Sequence, residues 1–177
     1  MGSSPSDRSG AEDADVVRAI AERLDEMIEL PAMVADETSP RVTCIRCEIS
    51  EYNAIVETMK RDVDHVTKVV NGGTSSTPHW QTTLASFSCN KVPVTWSTLI
   101  GGSEHVDLSL SDWLTDLECR LEAIAQYAYR LTQGDEVAVY HVAALLRPQR
   151  FIQSVLQQHA RSKFRDLHSF TLDVQVR

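Results

Sequence analysis

Residues 42–70 read VTCIRCEISEYNAIVETMKRDVDHVTKVV, and apolar side chains recur along this stretch at alternating gaps of three and four residues. The positions that share this spacing are Val42, Ile45, Ile49, Tyr52, Val56, Met59, Val63, Val66 and Val70. This is an a/d heptad pattern over about four heptads, which keeps one apolar edge of a helix facing one partner. Asn71-Gly72-Gly73 follows, and these residues favour the left-handed backbone that ends a helix. The stretch predicts one long helix with a buried edge.

A second stretch repeats the pattern. Its apolar positions are Leu110, Leu114, Leu117, Leu121, Ile124, Ala128 and Leu131. Ser109 with Asp112 has the form of a capping box at its start, and Gly134 ends it. Two heptad-patterned helices in one small domain are expected to pack on each other at the shallow crossing angle of helix bundles. We therefore predict a mainly α, bundle-like fold built on two long helices.

Shorter helices are predicted around these two. Ser9 and Glu12 resemble a capping box, and the helix behind them stops near Pro31. Pro78 begins a short helix that ends near Asn90. Pro148 begins the last helix, whose expected core face is Phe151, Ile152, Val155 and Leu156. Residues 1–8 are rich in Ser, Pro and Gly, and they are predicted to be disordered.

The chain ends in strict alternation of apolar and polar residues over 169–176, which predicts a half-buried strand. Such a strand needs a ladder partner, because an unpaired edge invites association. The apolar run at 137–142 is ambiguous between extended chain and buried helix, and it could supply that partner. The fold class is thus a truncated α+β arrangement, with one or two C-terminal strands added to the helices.

Composition limits the classes of function. The chain has 177 residues and a formal net charge of -8, with Lys and Arg scattered along it, which argues against nucleic-acid or acidic-membrane partners. No run of apolar residues reaches the length of a membrane span, and the N-terminus lacks the apolar core of a signal peptide. Four irregularly spaced cysteines indicate a reducing compartment. We expect a soluble intracellular protein or fragment.

The motifs of common catalytic sites are missing from the sequence. It has no Gly-x-x-x-x-Gly-Lys-Ser/Thr loop, no Gly-x-Gly-x-x-Gly, no His-Glu-x-x-His and no Gly-x-Ser-x-Gly. His141 and His159 have no recognisable Ser, Cys or Asp partner. Glu48, Glu51 and Glu57 are expected on the solvated faces of the long helix. We therefore predict no catalytic residue, no cofactor and no metal.

Cys44-Ile45-Arg46-Cys47 has the CxxC spacing of redox and zinc sites. A zinc site needs two further ligands at matching spacing, whereas Cys89 and Cys119 stand alone. A thioredoxin-like motif belongs in a βαβ context that this chain lacks. The favoured interpretation is two thiols beside the heptad edge, and a small thiol or zinc protein is the less favoured alternative.

Several segments in series carry a family resemblance. They are NKVPVTW at 90–96, LSDWLTDLECRL at 110–121 and VYHVAALLRPQRFIQSVLQQHAR at 139–161, joined by the E-x-x-x-YN pattern of 48–53 and the terminal 169–174 strand. In order and spacing they resemble the C-terminal region of dynein heavy chains. Arg147 departs from the family's usual aromatic residue. By resemblance, 9–177 is the helical part of that domain, without the β-rich half that most members have.

The resemblance implies a non-catalytic segment that supports the AAA ring of an ATP-driven, minus-end-directed microtubule motor. Implied partners are the ring of the same heavy chain, with dynein complex subunits and microtubules reached through the parent motor. The implied location is the cytoplasm and cytoskeleton, or the axoneme of a cilium or flagellum. A free-standing helical interaction protein, whose heptad edge binds an external partner, is the alternative. The predicted structural anchors are Pro93, Trp96, Trp113, Leu117, Leu121, Pro148, Phe151 and Leu156.

Overall fold

The computed structural model describes residues 5–33, 39–100, 108–134 and 139–163. Within them the chain is mainly helical. The α-helices are α1 (Pro5–Glu26), α2 (Pro40–Val70), α3 (Pro78–Ser88), α4 (Val94–Leu99), α5 (Leu110–Thr132) and α6 (Pro148–Lys163), with a 3₁₀ turn at Val142–Ala144. The predicted mainly α fold class is confirmed.

Helix α2 is the long helix that the heptad spacing predicted. It ends as expected, because Gly72 adopts φ +72° and the Gly73 N–H donates to the Lys68 carbonyl at 2.8 Å. Most heptad positions are buried, but Val56 is partly exposed and the adjacent Ile55 is buried in its place. The departure is local, because Met59, Val63 and Val66 beyond it are buried at their predicted positions.

Helix α5 is also confirmed. The Ser109 Oγ accepts the Asp112 backbone N–H at 3.1 Å and donates to the Asp112 carboxylate at 2.7 Å, which makes the predicted cap. Gly134 adopts φ +76° just beyond its end. Its predicted apolar positions are buried from Leu110 to Ala128, while Leu131 is partly exposed.

The chain divides into two compact units. The first comprises Met1–Glu29 and Asn53–Cys119, so it contains α1, the C-terminal half of α2, α3, α4 and the first half of α5. Its core is apolar and aromatic. The residues buried there include Val17, Leu24, Met59, Val63, Val66, Phe87, Trp96, Trp113, Leu114 and Leu117.

The second unit comprises Leu30–Tyr52 and Arg120–Arg177. It contains the N-terminal half of α2, the second half of α5, the 3₁₀ turn and α6. Its core mixes apolar side chains with buried polar ones, which include a carboxylate. The buried residues include Ile45, Glu48, Ile49, Tyr52, Leu121, Ile124, Tyr127, Leu145, Phe151 and Ser154.

The N-terminal helix begins earlier than predicted. Helix α1 starts at Pro5, so position 9 is inside the helix and is not its N-cap position. Proline is favoured in the first turn of a helix, where its missing N–H costs nothing, and this start precedes the proposed Ser9–Glu12 box. The segment 1–8 that was predicted to be disordered therefore overlaps the first turn of α1, and its residues 1–4 lie outside the described residues.

The predicted C-terminal strands are not supported. The strand at 169–176 lies outside the described residues, and the residues that the structure describes form no strand beyond an isolated bridge between Lys91 and Ser109. In the described part of the 137–142 run and just beyond it, side chains bond the backbone in place of a ladder. The His141 N–H donates to the Tyr127 hydroxyl at 2.6 Å, and the Tyr52 hydroxyl donates to the Ala144 carbonyl at 2.7 Å. Backbone groups satisfied in this way need no sheet partner.

No helix in the described part of the chain is both long and apolar enough to cross a membrane.

Candidate functional site

The first unit contains an aromatic cluster, which we call the tryptophan corner and define as Phe87, Trp96 and Trp113. Trp96 is completely buried, and its ring centroid lies 5.2 Å from that of Phe87 and 6.2 Å from that of Trp113. The Trp96 indole N–H donates to the Asp62 carboxylate on α2 at 2.9 Å. One side chain on a six-residue helix thus contacts α2, α3 and α5. This is the arrangement expected of an anchor that fixes helices in place.

The backbone next to this corner is set by Asn90 and Pro93. Asn90 adopts φ +51°, a left-handed conformation that asparagine tolerates better than most residues. Its carbonyl accepts the Leu110 N–H at 2.9 Å and its Oδ1 accepts the Ser111 N–H at 3.1 Å. Pro93 is buried, and its carbonyl accepts the Trp96 N–H at 2.9 Å to begin α4. Asn90 therefore joins the end of α3 to the first turn of α5.

Helix α1 is attached to the same unit by Arg23. Its guanidinium donates to both carboxylate oxygens of Glu118, at 2.7 and 3.1 Å, and to the Thr115 hydroxyl at 2.6 Å. A planar guanidinium that meets a carboxylate through two parallel bonds is the stronger kind of ion pair. The hydrogen bond to Glu118 raises the pKa of Arg23, so the guanidinium stays protonated.

The second unit contains a different corner, which we call the carboxylate corner and define as Glu48, Glu51 and residues 146–150. Glu48 has no exposed surface. Its two carboxylate oxygens accept the backbone N–H groups of Leu146, at 2.6 Å, and Arg147, at 3.0 Å. These are the last N–H groups before Pro148, which begins α6 and has none of its own. One buried side chain on α2 therefore fixes the entry into α6.

The environment of Glu48 changes its acidity. Burial raises the pKa of this carboxyl group, and the two backbone N–H groups oppose that rise only in part. The prediction that Glu48 lies on a solvated face is therefore wrong. The sequence did hold a signal, because Glu48 stands three residues after Ile45 and four before Tyr52, both of which are fully buried.

Glu51 lies one turn further along α2 and is partly exposed, which is closer to the solvated position predicted for it. It accepts hydrogen bonds from the Arg150 Nη1 at 2.8 Å and from the Arg147 Nε at 3.2 Å. Burial alone would raise the pKa of Glu51, but the bonds from these two arginines outweigh it and lower the pKa. Glu51 thus adds a charged contact at the rim of the corner that Glu48 holds from inside.

Aromatic rings complete the second unit. Tyr140 lies between Tyr127 and Phe151, with ring centroids 4.9 and 4.6 Å away. The hydroxyl of Tyr52, which is itself fully buried, reaches the Ala144 carbonyl in the 3₁₀ turn. Glu48 and Tyr52 both belong to the E-x-x-x-YN segment, so one short motif on α2 contacts residues 144–147 through three hydrogen bonds.

The predicted anchors differ in how deeply they are buried. Trp96, Trp113, Leu117, Leu121 and Phe151 are at most 3 % exposed. Pro93 is buried and Pro148 is partly exposed at the first residue of α6. Leu156 is partly exposed, as are Ile152 and Val155, so the expected core face of α6 is wrong except at Phe151. The anchoring roles themselves stay predictions.

The buried residues of α6 are Phe151, Ser154 and Ala160. Two of the three are small, and Ser154 makes a side-chain hydrogen bond with Cys44 on α2. Small side chains let two helices approach closely, which places the larger Ile152, Val155 and Leu156 to one side of the contact. The spacing of apolar residues could not predict which side chains of α6 are buried, because that argument assumes that the largest side chains face the core.

The four cysteines are free thiols. Cys44 is buried and the other three are exposed. Burial, with a smaller contribution from the nearby Glu48, raises the pKa of Cys44 to about 11, which keeps this thiol protonated and unreactive near neutral pH. Across the described residues, no three His, Cys, Asp or Glu side chains come together as a metal site would require. His141 and His159 are both exposed.

The comparisons with known proteins agree with this picture. The family model for the C-terminal domain of the dynein heavy chain matches residues 2–177. Among curated proteins, the protein is similar to the dynein alpha chain of the flagellar outer arm from Chlamydomonas reinhardtii, with 25% identity over 146 residues. The match covers 80% of this protein and 3% of that relative. The protein therefore belongs to the family of C-terminal domains of dynein heavy chains.

Proposed function

We propose that this protein is a non-catalytic, helical element of a dynein heavy chain that packs against and supports the AAA ring of the motor. Membership of the family carries this proposal, since the match spans nearly the whole sequence. The residues described above fit it, because the buried polar groups of both corners are used to join helices. The ATPase, the ring and the microtubule track belong to the proposed parent motor, within the cytoskeleton or an axoneme.

The alternative of a free-standing interaction protein that uses its heptad edge is less well supported. That edge is occupied, because Ile45, Ile49, Met59, Val63 and Val66 are at most 3 % exposed. A helix whose apolar edge is already buried has little left there to offer an external partner.

A contact with the ring needs an exposed surface, and α4 supplies a candidate. Val94 is 76 % exposed although it lies two residues from the completely buried Trp96. Leu99, at the other end of the same helix, is 37 % exposed. Trp96 packs on Phe87 and Trp113, which supports a position of α4 that keeps these two apolar side chains exposed. We assign Val94 to the proposed ring contact.

The first test is the reading frame that contains these residues. Upstream AAA modules with phosphate-binding loops in the same transcript would support the proposal, whereas a mature transcript that encodes only these residues would contradict it. The heavy chain so identified is then expressed with and without these 177 residues. We expect the shortened motor ring to unfold at a lower temperature, because it loses a packed surface. An unchanged ring would contradict the supporting role.

A pair of variants separates ring contact from folding. Val94→Asp places a charge on the exposed apolar position, and Thr95→Asp places the same charge on an exposed polar position of the same helix. Both are surface changes, so each should alter the free energy of unfolding of the isolated protein by no more than about 0.5 kcal/mol. In the full heavy chain, only Val94→Asp should lower ring stability. Equal effects of the two would contradict the assignment of Val94.

A further inference from the structure

A cavity of about 330 Å³ lies within the second unit, between the first turns of α2 and helix α6. The side chains that give it its chemistry are Cys44, Cys47, Arg150, Gln153, Gln157 and Arg161. Two guanidiniums thus face it, and none of the described residues that line it carries a carboxylate. In a protein of net charge -8, this lining holds two cationic side chains, one of which, Arg150, is paired with Glu51 at 2.8 Å.

The two cysteines in the cavity differ in what they can do. Cys44 is 3 % exposed and hydrogen-bonds with Ser154, so it belongs to the packed wall. Cys47 is exposed at the opening, three residues further along α2. The Arg150 guanidinium interacts electrostatically with both thiol positions. Its Nη1 donates to Glu51, but a guanidinium has further N–H groups, so one ion pair does not exhaust it.

We propose that this cavity is a modification site, at which Cys47 forms a reversible mixed disulfide with an anionic low-molecular-weight thiol of the glutathione class. The cavity volume suits a molecule of that size. Carboxylates of the incoming molecule would pair with Arg150 and Arg161, and its peptide groups would hydrogen-bond to the Gln153 and Gln157 side chains. This inference concerns the isolated protein and does not depend on the proposed role in a motor.

The step is a thiol–disulfide exchange. The Cys47 thiolate attacks one sulfur of the oxidised, disulfide-linked form of the small thiol, and a bond forms between Cys47 Sγ and that sulfur. The original disulfide bond breaks, and the other half leaves as a thiolate that takes up the proton lost by Cys47. No net oxidation occurs, so the small disulfide is the only co-reactant.

The mixed disulfide at Cys47 should persist, because the neighbouring Cys44 thiol is poorly able to displace the small thiol. Attack by Cys44 on the mixed disulfide would release the small thiol and join Cys44 to Cys47. With a pKa of about 11, only on the order of one part in ten thousand of Cys44 is thiolate at neutral pH, and burial restricts its approach further. The CxxC pair is therefore asymmetric, with one reactive thiol and one structural thiol.

Cys119 provides an internal control. It is also an exposed, free thiol on a helix, but Asp116 and Glu122 stand one turn before and after it, whereas Arg150 and Arg161 of α6 line the cavity beside Cys47. Native 177-residue protein is treated with limiting oxidised glutathione, and adducts are located by peptide mass mapping. We expect Cys47 to be modified about threefold to tenfold faster than Cys119. With cystamine, a cationic disulfide, this preference should vanish or reverse, and in denaturant both cysteines should react alike.

Two variants of equal charge test the cavity itself. Arg161→Gln removes a cation from the lining, and Arg130→Gln removes one from an exposed position at the end of α5. Only Arg161→Gln should slow the reaction of Cys47 with oxidised glutathione, by about threefold, and added salt should shrink the difference. The proposal is overturned if Cys47 reacts no faster than Cys119, if the two variants behave alike, or if the product is a Cys44–Cys47 disulfide.

Discussion

The tryptophan corner and the carboxylate corner both hold a neighbouring segment against α2, but they use different chemistry. Each joins a short segment to α2: helix α4 in the first unit and the entry into α6 in the second. In the first unit, Trp96 does so mainly by burying aromatic surface, with one hydrogen bond to Asp62. In the second, Glu48 does so with two charge-assisted hydrogen bonds and a buried carboxylate. Apolar burial is favourable by itself, whereas a buried carboxylate is favourable only while its donors stay in place.

The two corners should therefore lose stability in different ways when their residues are substituted. The aromatic corner should lose stability in proportion to the surface and volume removed. The carboxylate corner should depend on geometry and charge, because an orphaned N–H or an unpaired carboxylate costs more than the intact pair contributes. Four predictions test that contrast, from the largest expected effect to the smallest.

Removing an aromatic anchor should have the largest effect. Trp113 is 1 % exposed, so Trp113→Ala should reduce the free energy of unfolding by about 3–5 kcal/mol through lost burial and the cavity left behind. The measurement is a denaturant melt. Tyr129→Ala on the same helix, where the side chain is 66 % exposed, should cost no more than about 0.5 kcal/mol. A loss below about 1 kcal/mol for Trp113→Ala would contradict its placement in the core.

Removing the buried carboxylate should come next. Glu48→Ala leaves the Leu146 and Arg147 N–H groups without their acceptor, so we expect a loss of about 1.5–3 kcal/mol. Glu57→Ala, an exposed glutamate on the same helix, serves as the matched control and should change stability by less than about 0.5 kcal/mol. If both variants melt at the same denaturant concentration, Glu48 does not hold the entry into α6.

The single hydrogen bond of the tryptophan corner should matter less. Asp62→Ala leaves the buried Trp96 indole N–H without an acceptor, for an expected loss of about 1–2 kcal/mol. Asp64 lies two residues away and forms an exposed ion pair with Lys68 at 2.6 Å. Asp64→Ala should cost about 0.5 kcal/mol or less, as surface pairs do. A larger loss from Asp64→Ala than from Asp62→Ala would contradict the assigned role of Asp62.

The smallest effect is a pair of opposite pH dependences within the carboxylate corner. Burial raises the pKa of Glu48, so its contribution to stability is fully present below its ordinary pKa of 4.5 and is lost as pH rises through the raised value. Hydrogen bonds from Arg150 and Arg147 outweigh the effect of burial on Glu51 and lower its pKa. The contribution of Glu51 is therefore present above 4.5 and is lost as pH falls through the lowered value.

Two glutamine variants measure this contrast by chemical denaturation between about pH 4 and pH 7. Relative to the unchanged protein, Glu48→Gln should gain stability as pH rises. Glu51→Gln should lose it over the same range, by less than about 1 kcal/mol, because its partners are largely exposed. Slopes of the same sign would show that the two carboxylates share one environment.

The sequence by itself determined much of the local structure of this protein, although not the start of α1. Spacing of three and four residues predicted α2 and α5, Gly72 and Gly134 predicted where they end, and Ser109 predicted the cap that the structure shows. Pro78 and Pro148 marked the first residues of α3 and α6. These features follow from backbone geometry and nearest neighbours along the backbone, which a sequence contains in full.

Tertiary structure decided which groups satisfy the polar interior and how α6 packs. Whether Glu48 faces solvent or two N–H groups depends on residues that are 98 and 99 positions away in the sequence. The same holds for Ser154, which is buried while Leu156 is not, and for the side chains that replace a strand ladder at His141 and Ala144. A polar residue enters a core only where distant donors or acceptors satisfy it, and the fold decides where those groups meet.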